Sequence, residues 1–315
     1  MVDIKSLYAE AKKKLELEDP KSIAWVLPTG SMLLDRIIGI GGYPSGRIIE
    51  IYGAEHSGKT TLALHACKEA QKLGETFCFI DMECALDLEY CKSLGLQGEA
   101  NKDWLHIHVE TGERAFTTVE YFLNKGVKVF VIDSVATMIS QSELSGDYGD
   151  ANMGSQARMM SAGLKKLVGL ISQRNAIVIF INQTRMKIGM VFGNPETTTG
   201  GSALKFYSSI RLQVAQGAKN LDVIDEGELV GKTIRVKTVK NKVAPPLKEC
   251  SFPLVWGRGI DTKSEIFDVA LQEGVILKQS SFYSFGETKA NGRNNFISAM
   301  DENAILKEVQ LKWEK

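Results

Sequence analysis

Gly53-Ala54-Glu55-His56-Ser57-Gly58-Lys59-Thr60 follows an apolar run at 48–52 and leads into Thr61-Leu62-Ala63-Leu64; the reading of this stretch decides the fold. The pattern GxxxxGK[ST] between a strand and a helix is that of a phosphate-binding loop. Its glycines let successive backbone N–H groups turn inward around phosphate oxygens, and the helix adds its positive end. Lys59 would reach the β- and γ-phosphates of a nucleoside triphosphate, and the Thr60 hydroxyl would sit on Mg²⁺. A chance glycine turn before a helix is the plainer reading, but it leaves the combination of strand, motif and helix unexplained.

Working outward, short apolar runs alternate with helical stretches. Strands are expected at 48–52, 76–80, 127–132, 177–181, 209–214 and 233–239, most of them apolar on both faces, as in a buried parallel sheet. Helices expected at 60–73, 113–124 and 156–174 supply the crossovers, which makes the core a doubly wound α/β sheet. Upstream, Ile4, Leu7, Tyr8, Ala11 and Leu15 recur at helical spacing, and the helix should end before Asp19-Pro20. Its single apolar stripe needs cover, from its own body or from a neighbour. An extended piece at 23–27 precedes Pro28-Thr29-Gly30-Ser31, which opens the next segment. After Gly257-Arg258-Gly259 the chain turns more polar, with helix then strand over 265–277. The expected units are an N-terminal helix and strand over 1–27, a nucleotide-binding core over 28–259 and a small α/β domain over 260–315.

Composition narrows the function. Lys plus Arg and Asp plus Glu each number 38, which excludes a uniformly basic nucleic-acid binder; phosphate contacts must come from local clusters of cations. The five cysteines are scattered without a CxxC pair, which favours reduced thiols in a cytoplasmic protein over a zinc site. His106 and His108 alternate in a strand-like run, where structural roles are expected. No apolar run approaches the ~20 residues that span a bilayer, and the N-terminus carries no signal-peptide pattern, so no membrane partner is expected.

The run 127–133 ends in Asp133, placed as the Mg²⁺-associated aspartate of phosphate-loop enzymes is. Glu83, just after Ile80-Asp81, is the candidate to orient the attacking water, although spacing alone does not separate it from a solvated loop carboxylate. Strand 177–181 runs into Asn182-Gln183, and from Thr184 to Gly201 no regular period appears. Arg185 and Lys187 there could hold phosphates, while Ile188, Met190, Val191 and Phe192 suit base stacking better than solvation. The competing possibility is a loop that folds onto the core. A second irregular stretch, 142–154, is too acidic for a simple phosphate clamp, which leaves Arg158 in the next helix as the contact. Lys232, Arg235, Lys237, Lys240, Lys242 and Lys248 form a stripe of six cations without an acid. Such a run is usually a solvated face, but Lys240 and Lys242 lie at a strand end, where α/β proteins place ligand contacts.

Taken together, GAEHSGKTTL, FIDMECALD, VIDSVA, MGSQARMM, IFINQTRMKIGMVFGNPETTTGGSALKFYSS and VKNKVAPP resemble the bacterial RecA recombinase family, in the same order, over about 23–285. The resemblance implies a RecA-like phosphate-loop NTPase core. Its cofactors would be ATP and Mg²⁺, and its partners single-stranded DNA, homologous duplex DNA and further copies of itself in a helical homopolymer. It implies that Gly53 to Thr61 bind ATP, that Asp87 and Tyr90 surround the adenine, and that Glu83 activates water. Gln183 would sense the γ-phosphate, with Lys59, Lys240 and Lys242 completing the catalytic set, the last two acting on the neighbour's ATP. DNA contacts would fall on Met153, Gly154, Arg158, Arg185, Lys187, Met190, Val191, Phe192, Gly193, Asn194, Gly200 and Gly201. Lys205 and Phe206 match subunit-interface positions, and the leading helix matches a segment that docks on the adjacent subunit. Departures are Cys84 for a common histidine, Pro245-Pro246 after Lys242, a shorter 22–29 segment, and an end at Lys315 without the acidic tail of cellular members. These raise the expectation of a compact, phage-encoded form without tail-based self-restraint. A DNA-coating scaffold without turnover and a ring-shaped helicase are the alternatives. Lys59, Glu83 and Asp133 speak against the first, and the 183–201 string and leading helix against the second.

Overall fold

The computed structural model describes residues 3–15, 22–147, 154–186, 196–217, 222–225 and 228–313. The chain runs through α1 (Ile4–Lys14), β1 (Val26–Leu27), α2 (Met32–Ile38), β2 (Tyr43–Pro44), β3 (Arg47–Gly53), α3 (Lys59–Lys72), β4 (Phe77–Asp81), α4 (Leu88–Ser93) and β5 (Leu105–His108). It continues through α5 (Gly112–Asn124), β6 (Val129–Asp133), α6 (Gln141–Leu144), α7 (Ser155–Gln173), β7 (Ile177–Met186), β8 (Glu196–Thr198), α8 (Ala203–Tyr207), β9 (Ile210–Gln216) and β10 (Asp222–Asp225). β11 (Glu228–Asn241), β12 (Glu249–Val255), β13 (Gly259–Ile260), α9 (Thr262–Gln272), β14 (Leu277–Gln279), β15 (Phe282–Phe285), β16 (Thr288–Asn291), α10 (Arg293–Ala299) and α11 (Glu302–Trp313) complete it.

The main sheet has the order β13-β12-β11-β9-β3-β7-β6-β4-β5, parallel from β9 to β5 and antiparallel from β9 out to β13. Successive side chains of a strand point to opposite faces, and here both faces are covered. On β6 and β7, Val129, Val131, Ile177, Ile179 and Ile181 join the core layer that holds Leu62 and Leu64 of α3. Phe130, Ile132, Val178 and Phe180 join the opposite layer, with Phe116 and Val119 of α5 and Met160 and Leu164 of α7. This double layer is why the strands read as unbroken apolar runs.

The stretch 142–154, read as irregular, opens in the last residues of α6, and two further parts differ from the sequence expectation. Thr184 does not begin an irregular stretch: β7 continues to Met186, pairing antiparallel with β8 at Thr184↔Thr198 and Arg185↔Thr197. These residues project past the core, so backbone pairing rather than apolar burial holds them, and no periodicity marks them. β12 was not expected either; it carries Pro253, a residue that disfavours a central strand. The two-residue β13 covers β12 only at Leu254 and Val255, so at Pro253 the strand is an edge.

The C-terminal unit packs α9, α10 and α11 with the antiparallel sheet β14-β15-β16 around Phe267, Phe296, Ile305 and Val309, and Met32 of α2 joins this core. Glu265 of α9 accepts hydrogen bonds from Ser31 Oγ and from the Met32 and Leu33 amides, capping the start of α2 and tying the unit to the main body. α1 buries no residue; Ile4, Leu7, Tyr8 and Leu15 are all exposed.

Candidate nucleotide site and the loops beside it

The phosphate loop leaves the C-terminal end of β3, the strand flanked by β7 and β9, and turns into α3. Two glycines shape it. Gly58 has φ +93°, a left-handed conformation that disfavours side chains, and a Cβ on Gly53 would strike the Val214 carbonyl. The Ser57 hydroxyl is buried and has no protein partner, as expected of a donor reserved for a phosphate oxygen. Lys59 Nζ donates to the Ala54 carbonyl at 2.7 Å, folded back across the loop, and burial lowers its proton affinity. Backbone cradle, orphan hydroxyl and lysine together fit a triphosphate.

Thr60 Oγ1 donates to Asp133 Oδ2 at 2.6 Å, joining the start of α3 to the end of β6. Burial pushes the Asp133 carboxyl up to about 7; the charge of Glu83 adds to this, and the Thr60 bond and Lys59 oppose it. A hydroxyl and a carboxylate side by side are hard oxygen donors of the kind Mg²⁺ takes. Glu83 follows β4, its amide held by Asp81 Oδ1 at 3.1 Å. Its Oε1 accepts from Ser134 Oγ at 2.5 Å and from Gln183 Nε2 at 3.3 Å.

These groups open on one cavity of about 510 Å³, lined by residues 55–61, Glu83, Asp133 and Gln183. Tyr90 also lines it, its hydroxyl 2.8 Å from Thr61 Oγ1. Asp87 is engaged as the N-cap of α4, accepting from the Glu89 and Tyr90 amides. The sequence reading missed Gln216, Ile234, Leu254, Val255 and Trp256, which with Lys232 of the cation stripe form the wall from β9, β11, β12 and the residue after it. No motif marks them. The one available signal was an aromatic, Trp256, beside the Gly257-Arg258-Gly259 turn.

Below Gln183, Asn182 is fully buried. Its amide nitrogen donates to Glu50 Oε1 at 2.9 Å and to the Thr199 carbonyl at 3.2 Å, while its oxygen accepts from Thr199 Oγ1 and the Gln183 amide. Glu50, at 0% exposure, pairs through its other oxygen with Arg211 Nε at 2.5 Å. Gly200 and Gly201, with φ +77° and +75°, pass so close to Val135 and Ala157 that a Cβ on either would collide. Gly154 caps α7, and Arg158 lies in its first turn, lining a groove between α5 and α7. Arg185 is exposed at the end of β7. Met153, Lys187, Met190, Val191, Phe192, Gly193 and Asn194 lie outside the described residues.

The cation stripe divides. Arg235 and Lys237 face Glu249 on β12 at 3.9 and 4.0 Å. Lys232 lines the nucleotide cavity. Lys240 and Lys242 do not line it; Lys240 Nζ donates to the Lys205 and Phe206 carbonyls at 2.6 and 2.9 Å, capping α8. Burial, then Lys242 and Arg211, bring the Lys240 amine down to about 8. Lys205 Nζ donates to Thr197 Oγ1 at 2.9 Å, and the Phe206 ring is 73% exposed. No helix among the described residues is long and apolar enough to cross a membrane, and no cluster of three or more metal-ligating side chains occurs among them.

A parallel sheet with a phosphate loop on one strand and a hydroxyl-bonded aspartate at the end of another defines a phosphate-loop NTPase core. Residues 5–261 match the family model of the RecA N-terminal domain. Protein RecA of Geobacter sulfurreducens is 49% identical over 290 residues, covering 91% of this chain and 84% of that protein. Protein RecA of Citrifermentans bemidjiense is 48% identical over the same length and the same shares. Protein RecA of Wolbachia pipientis from Culex pipiens is 48% identical over 290 residues, 91% of this chain and 80% of that protein. The chain belongs to the RecA family.

Proposed function

We infer that this protein is a recombinase: a DNA-dependent ATPase that forms helical filaments on single-stranded DNA and carries out homologous pairing and strand exchange with duplex DNA. The observation that carries the reading is the Glu83–Gln183 contact. It joins the group facing the nucleotide to the strand that leads into the DNA loop.

ATP would lie with its phosphates on the Gly53–Thr61 loop and its base between Tyr90 and Trp256. Thr60 and Asp133 would hold Mg²⁺, which neutralises charge on the β- and γ-phosphates when bound. Glu83 takes a proton from water as the water oxygen bonds to the γ-phosphorus and the bond to the ADP oxygen breaks. Lys59 stabilises the charge that builds on the phosphate oxygens.

Lys240 and Lys242 reach the neighbouring subunit's nucleotide, which agrees with their position off their own cavity. Phe206 and Lys205 form part of that junction, and the exposed stripe of α1 docks on the adjacent copy. Arg158, Arg185 and Lys187 hold DNA phosphates, Met190, Val191 and Phe192 contact bases, and Met153, Gly154, Gly193, Asn194, Gly200 and Gly201 complete the DNA contacts. The division at 27 and 259 separates the docking segment, the ATPase core and the C-terminal unit.

The test is a joint-molecule assay with homologous and non-homologous duplexes, together with electron microscopy on single-stranded DNA with a slowly hydrolysed ATP analogue. Helical filaments and homology-dependent joints are expected. A monomer, or closed rings, with ATP, Mg²⁺ and DNA all present would overturn the reading.

A further inference from the structure

We propose that Ser134 is a positioning residue for hydrolysis, fixing the Glu83 carboxylate in the orientation from which it meets the attacking water. The inference rests on the reading of Glu83 as the water-activating group. Two donors converge on Glu83 Oε1: Ser134 Oγ at 2.5 Å and Gln183 Nε2 at 3.3 Å. No donor among the described residues reaches Oε2, so the bonded oxygen is the anchor and the other is the one left to accept a proton.

The two donors differ in kind. Ser134 is 1% exposed and directly follows Asp133, whose carboxylate is bonded to Thr60 at the start of α3. It therefore references Glu83 to the rigid, phosphate-facing side of the cavity. Gln183 is less buried, more distant, and on the strand that leads to the DNA loop. Ser134 supplies the fixed bond and Gln183 the adjustable one. A hydroxyl donating to a carboxylate is a charge-assisted hydrogen bond, stronger than one between neutral groups. The need for such an anchor follows from the local chain. Glu83 stands on a loop beside Cys84, at φ +54°, and its long side chain has several rotamers, among which the Ser134 and Gln183 bonds select one. Misplacing a reacting group by about 1 Å can cost on the order of 10²-fold in rate.

The experiment compares Ser134→Ala, Glu83→Gln and the double variant by steady-state ATP hydrolysis with saturating oligo-dT. Fluorescent-ATP binding and thermal melts serve as controls for affinity and folding. Ser134→Ala should lower kcat by roughly 10–100-fold with KM within about twofold of wild type. The double variant should hydrolyse no more slowly than Glu83→Gln alone, because Ser134 acts through the carboxylate that is already gone. If Ser134→Ala keeps wild-type kcat while Glu83→Gln is inactive, the Ser134 inference falls and the reading of Glu83 stands. Should the double variant lose a further factor beyond Glu83→Gln, Ser134 works through another group and the inference is equally wrong. Wild-type turnover by Glu83→Gln would instead overturn the reading of Glu83 itself.

Discussion

Replacing Arg211 with methionine should destabilise the protein more than its place on a sheet strand suggests. Arg211 faces Glu50 across the parallel pair β9–β3, and Glu50 is completely shielded from water. The guanidinium supplies the ion pair at 2.5 Å and also lies over the Tyr52 ring at 4.6 Å. Methionine keeps an apolar stem of similar reach but leaves Glu50 with only the Asn182 amide, at 2.9 Å. Removing one partner of a buried pair costs about 3–5 kcal/mol, because the remaining charge is desolvated and uncompensated. That is a large share of the ~5–15 kcal/mol that holds a domain together. With a urea dependence near 3 kcal/mol per molar, the unfolding midpoint should fall by roughly 1–2 M. Adding Glu50→Gln removes the stranded charge, so the double variant should recover more than half of the loss. Urea unfolding followed by circular dichroism measures both. A loss under about 1 kcal/mol for the single variant, or a double variant no better than the single, would refute the claim that an isolated buried charge sets the cost.

Four further outcomes are expected. Lys59→Ala should abolish turnover in a phosphate-release assay, since no other cation of the loop replaces its ammonium at the phosphates. Phe192→Ala should weaken single-stranded DNA binding by about 1–3 kcal/mol in anisotropy titrations at matched salt, the size of one lost base stack. Lys240→Ala mixed with Glu83→Gln should regain part of the hydrolysis that neither shows alone, because mixed interfaces pair an intact Glu83 with an intact lysine; no recovery would argue against action in trans. Burial holds the Glu265 and Asp35 carboxyls at about 7, so the folded state keeps protons that the unfolded chain has released. Their contribution is therefore greatest below the ordinary carboxylate range and is lost as pH rises through about 7. The drop in urea midpoint between about pH 5.5 and about pH 8.5 should be smaller for Glu265→Gln than for wild type.

The parts legible in the sequence were those where one physical rule acts locally. Gly53 and Gly58 follow from a loop motif whose backbone leaves no room for side chains, and strands such as 129–132 and 177–181 are apolar throughout because layers cover both faces. Illegible were contacts made by polar groups far apart in the chain. Glu50 and Arg211 are separated by 161 positions, and Ser31 and Glu265 by 234, and nothing in either local pattern points to its partner. Ser134 reads as an ordinary residue after a motif aspartate until Glu83, 51 positions away, is seen against it. The wall of the cavity was hidden for a related reason. Leu254 and Val255 end β12, a strand that carries Pro253, and Trp256 directly follows it.

The alternation of β7 explains how one dipeptide can serve both the core and the cavity. Asn182 and Gln183 point to opposite sides, so the first is locked into Glu50 and Thr199 while the second meets Glu83. Thr199 directly follows β8, the strand paired with the end of β7, and Glu50 lies on the strand that becomes the phosphate loop. A displacement of the β7–β8 pair therefore has to break the bonds of Asn182 or carry Gln183 with it, and the fully buried Asn182 makes the first costly. On the proposed reading, free energy that DNA contributes on the loop side would be felt at Glu83, and nucleotide bound beside Glu83 would be felt equally by the loop, since such coupling is reciprocal. Ser134 sets the other boundary of this device. With one donor to Glu83 on β6's buried end and one on β7, a shift of Gln183 would change how firmly the carboxylate is held without releasing it from the site.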